Sequence, residues 1–173
     1  MRTTNNILKK SINKKFINSL IASVSKIIYK YEYIDNIKYR FSPDANEIVA
    51  KFLLIISKKL LRTENNYITT DIIYQNAEKY LKGELKYHSL NQSRKVFLSR
   101  KLNTNTTINF KIFRYLLPKN KSISNIASVS LAYILEYIST ELLELASIQA
   151  NNIVFAEDIV STIVKDQELK FCI

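Results

Sequence analysis

Three glutamates in the stretch "LAYILEYISTELLELAS", residues 131 to 147, have a spacing that suggests binding chemistry. On a helix, Glu136, Glu141 and Glu144 fall roughly opposite Leu131, Ile134, Leu135, Ile138, Leu142, Leu145 and Ala146. No Lys or Arg lies between residues 122 and 164. A generic solvated face accounts for acids there but not for the missing bases, and a one-sign ridge of this kind suits a basic ligand. The opposite chemistry lies earlier, where Lys9, Lys10, Lys14, Lys15, Lys26 and Lys30 are interleaved with Ile12, Phe16, Leu20, Ile21, Val24, Ile27 and Ile28. That is a basic amphipathic helix over 7–31. Its lysines are either a solvated face or a contact for phosphate or membrane, and the pattern alone leaves both open.

The charge balance sharpens the contrast. The 173 residues carry 26 Lys+Arg against 15 Asp+Glu, a formal net charge of +11. Residues 1–105 hold 20 bases and 8 acids, while 106–173 hold 6 and 7. Such an excess favours a polyanionic partner, nucleic acid or an anionic surface.

Catalytic equipment is thin. A single glycine, Gly83, gives no Gly-rich phosphate cradle, and one histidine with one cysteine does not make the usual zinc sets. His88 reads as structural, and the carboxylates after residue 130 have no nucleophile or Gly-shaped pocket beside them. The expectation is therefore no enzyme, no metal and no cofactor. Cys172 has no intrachain disulfide partner, which is compatible with a reducing compartment. The longest aliphatic or aromatic run is "FLLII" at 52–56 and the N-terminus lacks a signal-peptide core, so an intracellular, soluble chain is expected.

The elements that must position these charges are helical. Ser42 and Pro43 predict a helix start, with Ile48, Val49, Phe52, Ile55, Ile56 and Leu60 on its apolar stripe over about six turns. "YITT" predicts a connector, with Thr70 as the cap of a helix that Gly83 stops, and "ELKYHSLNQSRKVFLSRK" predicts one more helix. The Asn-rich stretch 102–109 reads as a linker. Beyond it come a short helix "FKIFRYLL" before Pro118, a long helix over about 126–150, the connector "NNIVFA" and a short helix "EDIVSTIVKD". Short, long, short occurs twice, the mark of a duplicated module. Neither module can bury both sides of its long helix alone, so the two are expected to clasp each other within one chain, with no separate dimer partner.

Specific segments carry a family resemblance. "AYILEYISTELLELA" followed by "EDIVSTIVKDQEL" is similar to the central and last helices of histone two-A, and "RYLL" fits the end of its first helix. "ITTDIIYQNAEKYLKGELKYHSLNQSRKV" resembles the last and C-terminal helices of histone two-B, including Gly83-Glu84-Leu85, His88 and Lys95-Val96. The chain thus resembles a histone doublet of the kind found in some large DNA viruses, over most of 14–170 and most strongly over 68–101 and 131–169. The resemblance implies an all-α chain of two tandem histone folds, short-long-short helices in an intramolecular handshake. It divides the chain into a short basic tail at 1–13, a two-B-like fold with C-terminal helix at 14–101, a linker at 102–109 and a two-A-like fold at 110–173.

The function implied is sequence-independent packaging of double-stranded DNA in a nucleosome-like particle, beside a histone three/four-like pair or doublet. Its setting would be the host nucleus or a cytoplasmic viral factory, and the virion. DNA contacts are expected from Lys9, Lys10, Lys14, Lys15, Lys26, Lys30, Lys38 and Arg40, and from Lys111, Arg114, Lys119 and Lys121. The resemblance places an acidic patch for Arg-bearing ligands at Glu84, Glu136, Glu141, Glu144, Asp166 and Glu168, with Gln92 and Gln167 where the family has acids. Departures imply a looser DNA grip. The connectors "ENNYIT" and "NNIVFA" offer Asn66, Asn151 and Asn152 in place of Arg or Lys, lysine-rich tails are nearly absent, and no long extension follows Ile173. Two other readings compete: a histone-fold subunit of a transcription-regulatory complex, marked by base preference or a stable non-histone partner, and a membrane-surface protein built on 7–31. The apolar stripes of both long helices argue against the membrane reading.

Overall fold

Ser42 and Ser124 begin the two longest helices in the same way. Their backbones are extended, at φ −67, ψ 152 and φ −66, ψ 150, and their hydroxyls accept from the amides of Ala45 (3.3 Å) and Ala127 (3.0 Å). Each supplies a donor-satisfying cap that the first turn lacks internally. The agreement runs on: the residues that start the following helices, Thr69 and Phe155, have φ −98, ψ 171 and φ −100, ψ 170.

In a computed structural model, residues 14–29, 40–98, 105–150 and 153–173 are described. The chain is predominantly helical. The first half holds α1 (14–29), β1 (Arg40–Phe41), α2 (Pro43–Leu60), β2 (Tyr67–Ile68), α3 (Thr70–Tyr80) and α4 (Gly83–Leu98). The second holds a 3-10 helix (Phe110–Leu116), β3 (Ser122–Ile123), α5 (Asn125–Gln149), β4 (Ile153–Val154), α6 (Ala156–Lys165) and α7 (Gln167–Phe171).

The strands pair across the halves, each time in parallel. In one bridge Arg40 lies opposite Ile153 and Phe41 opposite Val154; in the other Tyr67 lies opposite Ser122 and Ile68 opposite Ile123. Equivalent hydrogen bonds close both, from the Ser42 amide to the Val154 carbonyl and from the Ser124 amide to the Ile68 carbonyl, each 3.0 Å. The strand before one long helix therefore joins the strand after the other, and the halves interlock.

The interior follows the apolar stripes. Phe16, Leu20, Val24, Ile27 and Ile28 of α1 are buried, and Phe16 meets Phe113 of the 3-10 helix with ring centroids 6.0 Å apart. Val49, Phe52, Ile56 and Leu60 of α2 are buried with Leu53 and Leu54. α5 has the length and composition of a membrane span, yet it packs against α2, α3, α4, α6 and the 3-10 helix. Each fully buried Leu, Ile or Phe on these faces contributes about 1.5–3 kcal/mol. Buried Ser57 and Ser147 donate to the carbonyls of Leu53 (2.7 Å) and Leu143 (2.6 Å), so their hydroxyls are satisfied inside the core.

Several local expectations shift. α2 ends at Leu60, about five turns long, and Ile55 is 43% exposed, off the stripe. Thr69, not Thr70, precedes α3 and makes no side-chain cap. Gly83 begins α4 at φ +53 instead of closing α3, whose last amide contact is Leu81 to Ala77. The first helix of the second half is a 3-10 helix of seven residues, capped by Asn109 and stopped before Pro118. Of the expected linker 102–109, residues 105–109 are described, and Ile108 is fully buried in the core. The tail 1–13, together with Lys30, Lys38, Asn151 and Asn152, lies outside the described residues.

Candidate functional site

Four of the six expected acids meet at one cleft. Glu84 of α4, Glu141 of α5, Asp166 and Glu168 line a cavity of about 40 Å³ with Tyr137 and Leu169. These residues come from both halves, and the turn at Gly83 brings them together. Glu168 accepts from the amides of Glu84 (3.1 Å) and Leu85 (2.7 Å), capping the start of α4. A Cβ on Gly83 would stand 1.7 Å from Oε1 of Glu168, so a side chain here would displace that carboxylate from the α4 amides, and φ +53 itself favours glycine. Lys82 lies over the Phe171 ring at 3.7 Å from its centroid and holds α7 to the same turn.

Each acid has its own work. Asp166 Oδ1 accepts from the amides of Glu168 (2.9 Å) and Leu169 (2.8 Å), capping α7. Glu84 is largely exposed and pairs with Nε2 of His88 at 2.9 Å. Glu141 is half-buried and accepts from the Tyr137 hydroxyl at 3.3 Å. Burial foremost, then the neighbouring Glu144 charge, raises the Glu141 carboxyl above its ordinary value, and the Tyr137 bond only partly offsets this. Burial and the charges of Glu141, Glu144 and Glu84 push the Tyr137 phenol up to about 12. Glu144 is exposed on the same side of α5.

Glu136 departs from the expected ridge. Its Oε1 accepts from the Ile108 amide at 2.7 Å and so secures the entry to the second half; burial foremost and this carboxylate raise the pKa of the nearby Tyr133. A carboxylate of α5 thus satisfies a backbone donor on the approach to the 3-10 helix.

The cations expected at DNA that lie among the described residues fall into four groups. Lys14 and Lys15 are exposed on α1, which meets the 3-10 helix carrying exposed Lys111 and Arg114 through the contact of Phe16 with Phe113. A cleft of about 310 Å³ opens beside them, lined by Lys111, Arg114 and Lys121 and by Asn125 at the start of α5. Lys119 and Lys121 flank the β2–β3 bridge, where the Lys121 ammonium donates to the Thr63 carbonyl. Arg40 stands exposed in the β1–β4 bridge at the other end. Lys26 is exposed further along α1, at a cleft it shares with Tyr29 and Thr106. Lys9, Lys10, Lys30 and Lys38 lie outside the described residues.

Sequence reading missed Arg62. It is exposed at the entry to the β2 connector, where its carbonyl accepts from Asn76 Nδ2 at 2.8 Å. The adjacency of that connector to Lys121 was its signal, but only the strand pairing reveals it. Among the described residues no group of three His, Cys, Asp or Glu is placed to hold a metal ion. Cys172 is buried, and burial pushes its thiol up to about 12. No protein-family model and no curated protein matches the chain.

Proposed function

We propose that the chain packages double-stranded DNA without reading its sequence, as a histone doublet in which a two-B-like half and a two-A-like half form an intramolecular handshake. The observation that carries this reading is the reciprocal pair of parallel bridges. They lie at opposite ends of α2, with Arg40 at one and Lys119 with Lys121 at the other, where Lys111 and Arg114 line a cleft with Lys121. A row of cationic stations suits a continuous phosphate backbone, where released counterions supply most of the affinity. The acidic cleft lends a partner surface for Arg-bearing ligands, built from Glu84, Glu141, Asp166 and Glu168. The particle would include a histone three/four-like pair.

The test is binding of the whole chain to duplexes of unrelated sequence over a range of salt. Equal affinities that fall steeply with salt are expected. A marked base preference would instead favour the transcription-regulatory reading. Reconstitution with a three/four-like pair should protect distinctly less than the about 146 bp wrapped by a cellular octamer, because Asn66 brings no charge to its connector.

A further inference from the structure

A second cleft adjoins the acidic one and has the opposite chemistry. It encloses about 530 Å³ between α4 and α5, with Tyr87, His88 and Tyr137 along its wall and Gln92, Arg94 and Lys95 beside them. The rings form a row: His88 lies 5.2 Å from Tyr87 at 79° and 5.9 Å from Tyr137 at 30°. Tyr87 is 61% exposed, and its ring stands beside those of His88 and Tyr137 as part of one open apolar wall. Arg94 lies over the Tyr74 ring at 5.4 Å from its centroid and approaches Glu78 to 3.8 Å, beyond a direct hydrogen bond, so its outer donors stay open to a ligand, and Lys95 is exposed one residue further on.

The two clefts share a wall. Tyr137 lines both, and Glu84 of the acidic cleft is bonded to His88 of the ring-lined one. We propose that the ring-lined cleft docks a peptide carrying an aromatic side chain and a carboxylate next to the arginine held by the acidic cleft, so that the preferred partner is of mixed sign. This rests on the acidic cleft being a partner surface. The rings accept an aromatic side chain edge-on or offset, and Arg94 with Lys95 supplies charge-assisted donors for the carboxylate. A nucleic acid fits less well, because its phosphates would run against Glu84 and Glu141 at the shared wall.

Fluorescence anisotropy with the whole chain and three synthetic peptides tests this. One peptide carries a lone arginine in a Gly–Ser background, the second adds Phe-Glu after it, and the third carries Phe-Glu without arginine. The Phe-Glu addition should tighten binding about tenfold. The double variant Arg94→Gln with Lys95→Gln should erase that gain while leaving the lone-arginine peptide within twofold, at unchanged helix content and melting temperature. Absence of the gain, or its persistence in the double variant, overturns the proposal. Binding of the lone-arginine peptide without any gain removes this inference and keeps the acidic cleft. Binding of Phe-Glu with no binding of lone arginine removes the acidic cleft as a partner surface and, with it, the mixed-sign partner.

Discussion

The acids of the candidate partner face and the cations of the candidate DNA face are set into the fold in different ways. On the acidic side, Glu168 holds two amides of α4, Asp166 holds two amides of α7, and Glu136 holds the amide of Ile108. On the cationic side, Lys14, Lys15, Lys111, Arg114 and Lys119 are exposed, and Lys121 is the one that reaches a backbone carbonyl at Thr63. Carboxylates near helix starts complete the backbone's own hydrogen bonding, whereas ammonium and guanidinium groups on long stems stay in water. Loss of an acid should therefore register in stability, and loss of a cation in DNA affinity.

The largest effect should come from Gly83→Ala. It forces a side chain into φ +53 and drives Glu168 from the start of α4, so urea denaturation should show a loss of about 2–4 kcal/mol. An unchanged midpoint would mean that Glu168 is not anchoring the turn. Next, Glu136→Ala strands the amide of fully buried Ile108 and should cost about 1–3 kcal/mol, while Glu144→Ala should cost almost nothing. Equal effects at these two positions would erase the division between structural and surface acids. Replacing Lys111 and Arg114 together with Gln should leave stability unchanged and flatten the slope of log K against log [salt] by roughly 0.9 per lost contact. A stability loss without a slope change would reverse the assignment.

The smallest effect tests an acid that behaves unlike its neighbours. The Glu141 carboxyl is raised in the folded chain, so its contribution favours folding fully below the unfolded carboxylate value and is lost as pH rises through the folded one. Glu141→Gln should therefore stabilise the chain by a few tenths of a kcal/mol at neutral pH, with the advantage shrinking as pH falls towards 4. Thermal melts at two pH values decide it, and an advantage that grows in acid would contradict the sign.

What the sequence made legible was local. Ser42 with Pro43 marks a helix start because the cap partner, Ala45, is three residues away. The buried positions of α1 follow from one apolar stripe with one lysine-bearing face. Glu141, Glu144 and Asp166 were placed among the site residues by helical spacing and resemblance, and the fold sets them near one another. What stayed hidden depends on contacts between halves. Gly83 reads as a helix stop until Glu168, from the far end of the chain, is seen to occupy the space over it. Glu136 reads as a ridge acid because its partner is a backbone amide in a stretch that looks like free linker. Ile55 reads as core because a stripe counted on one helix does not say where its neighbours end.

The crossed strand bridges also bear on the order of events during synthesis. β1 waits for β4, which follows the whole of α5, and β2 waits for β3 on the far side of α3, α4 and the 3-10 helix. The part of α2 that packs against α5 and α6 stays uncovered until the second half arrives. Completion of the fold is paced by this long-range closure rather than by the quick formation of single helices. Tethering the halves in one chain shortens that wait, because the second half arrives at a local concentration no separately made subunit would reach.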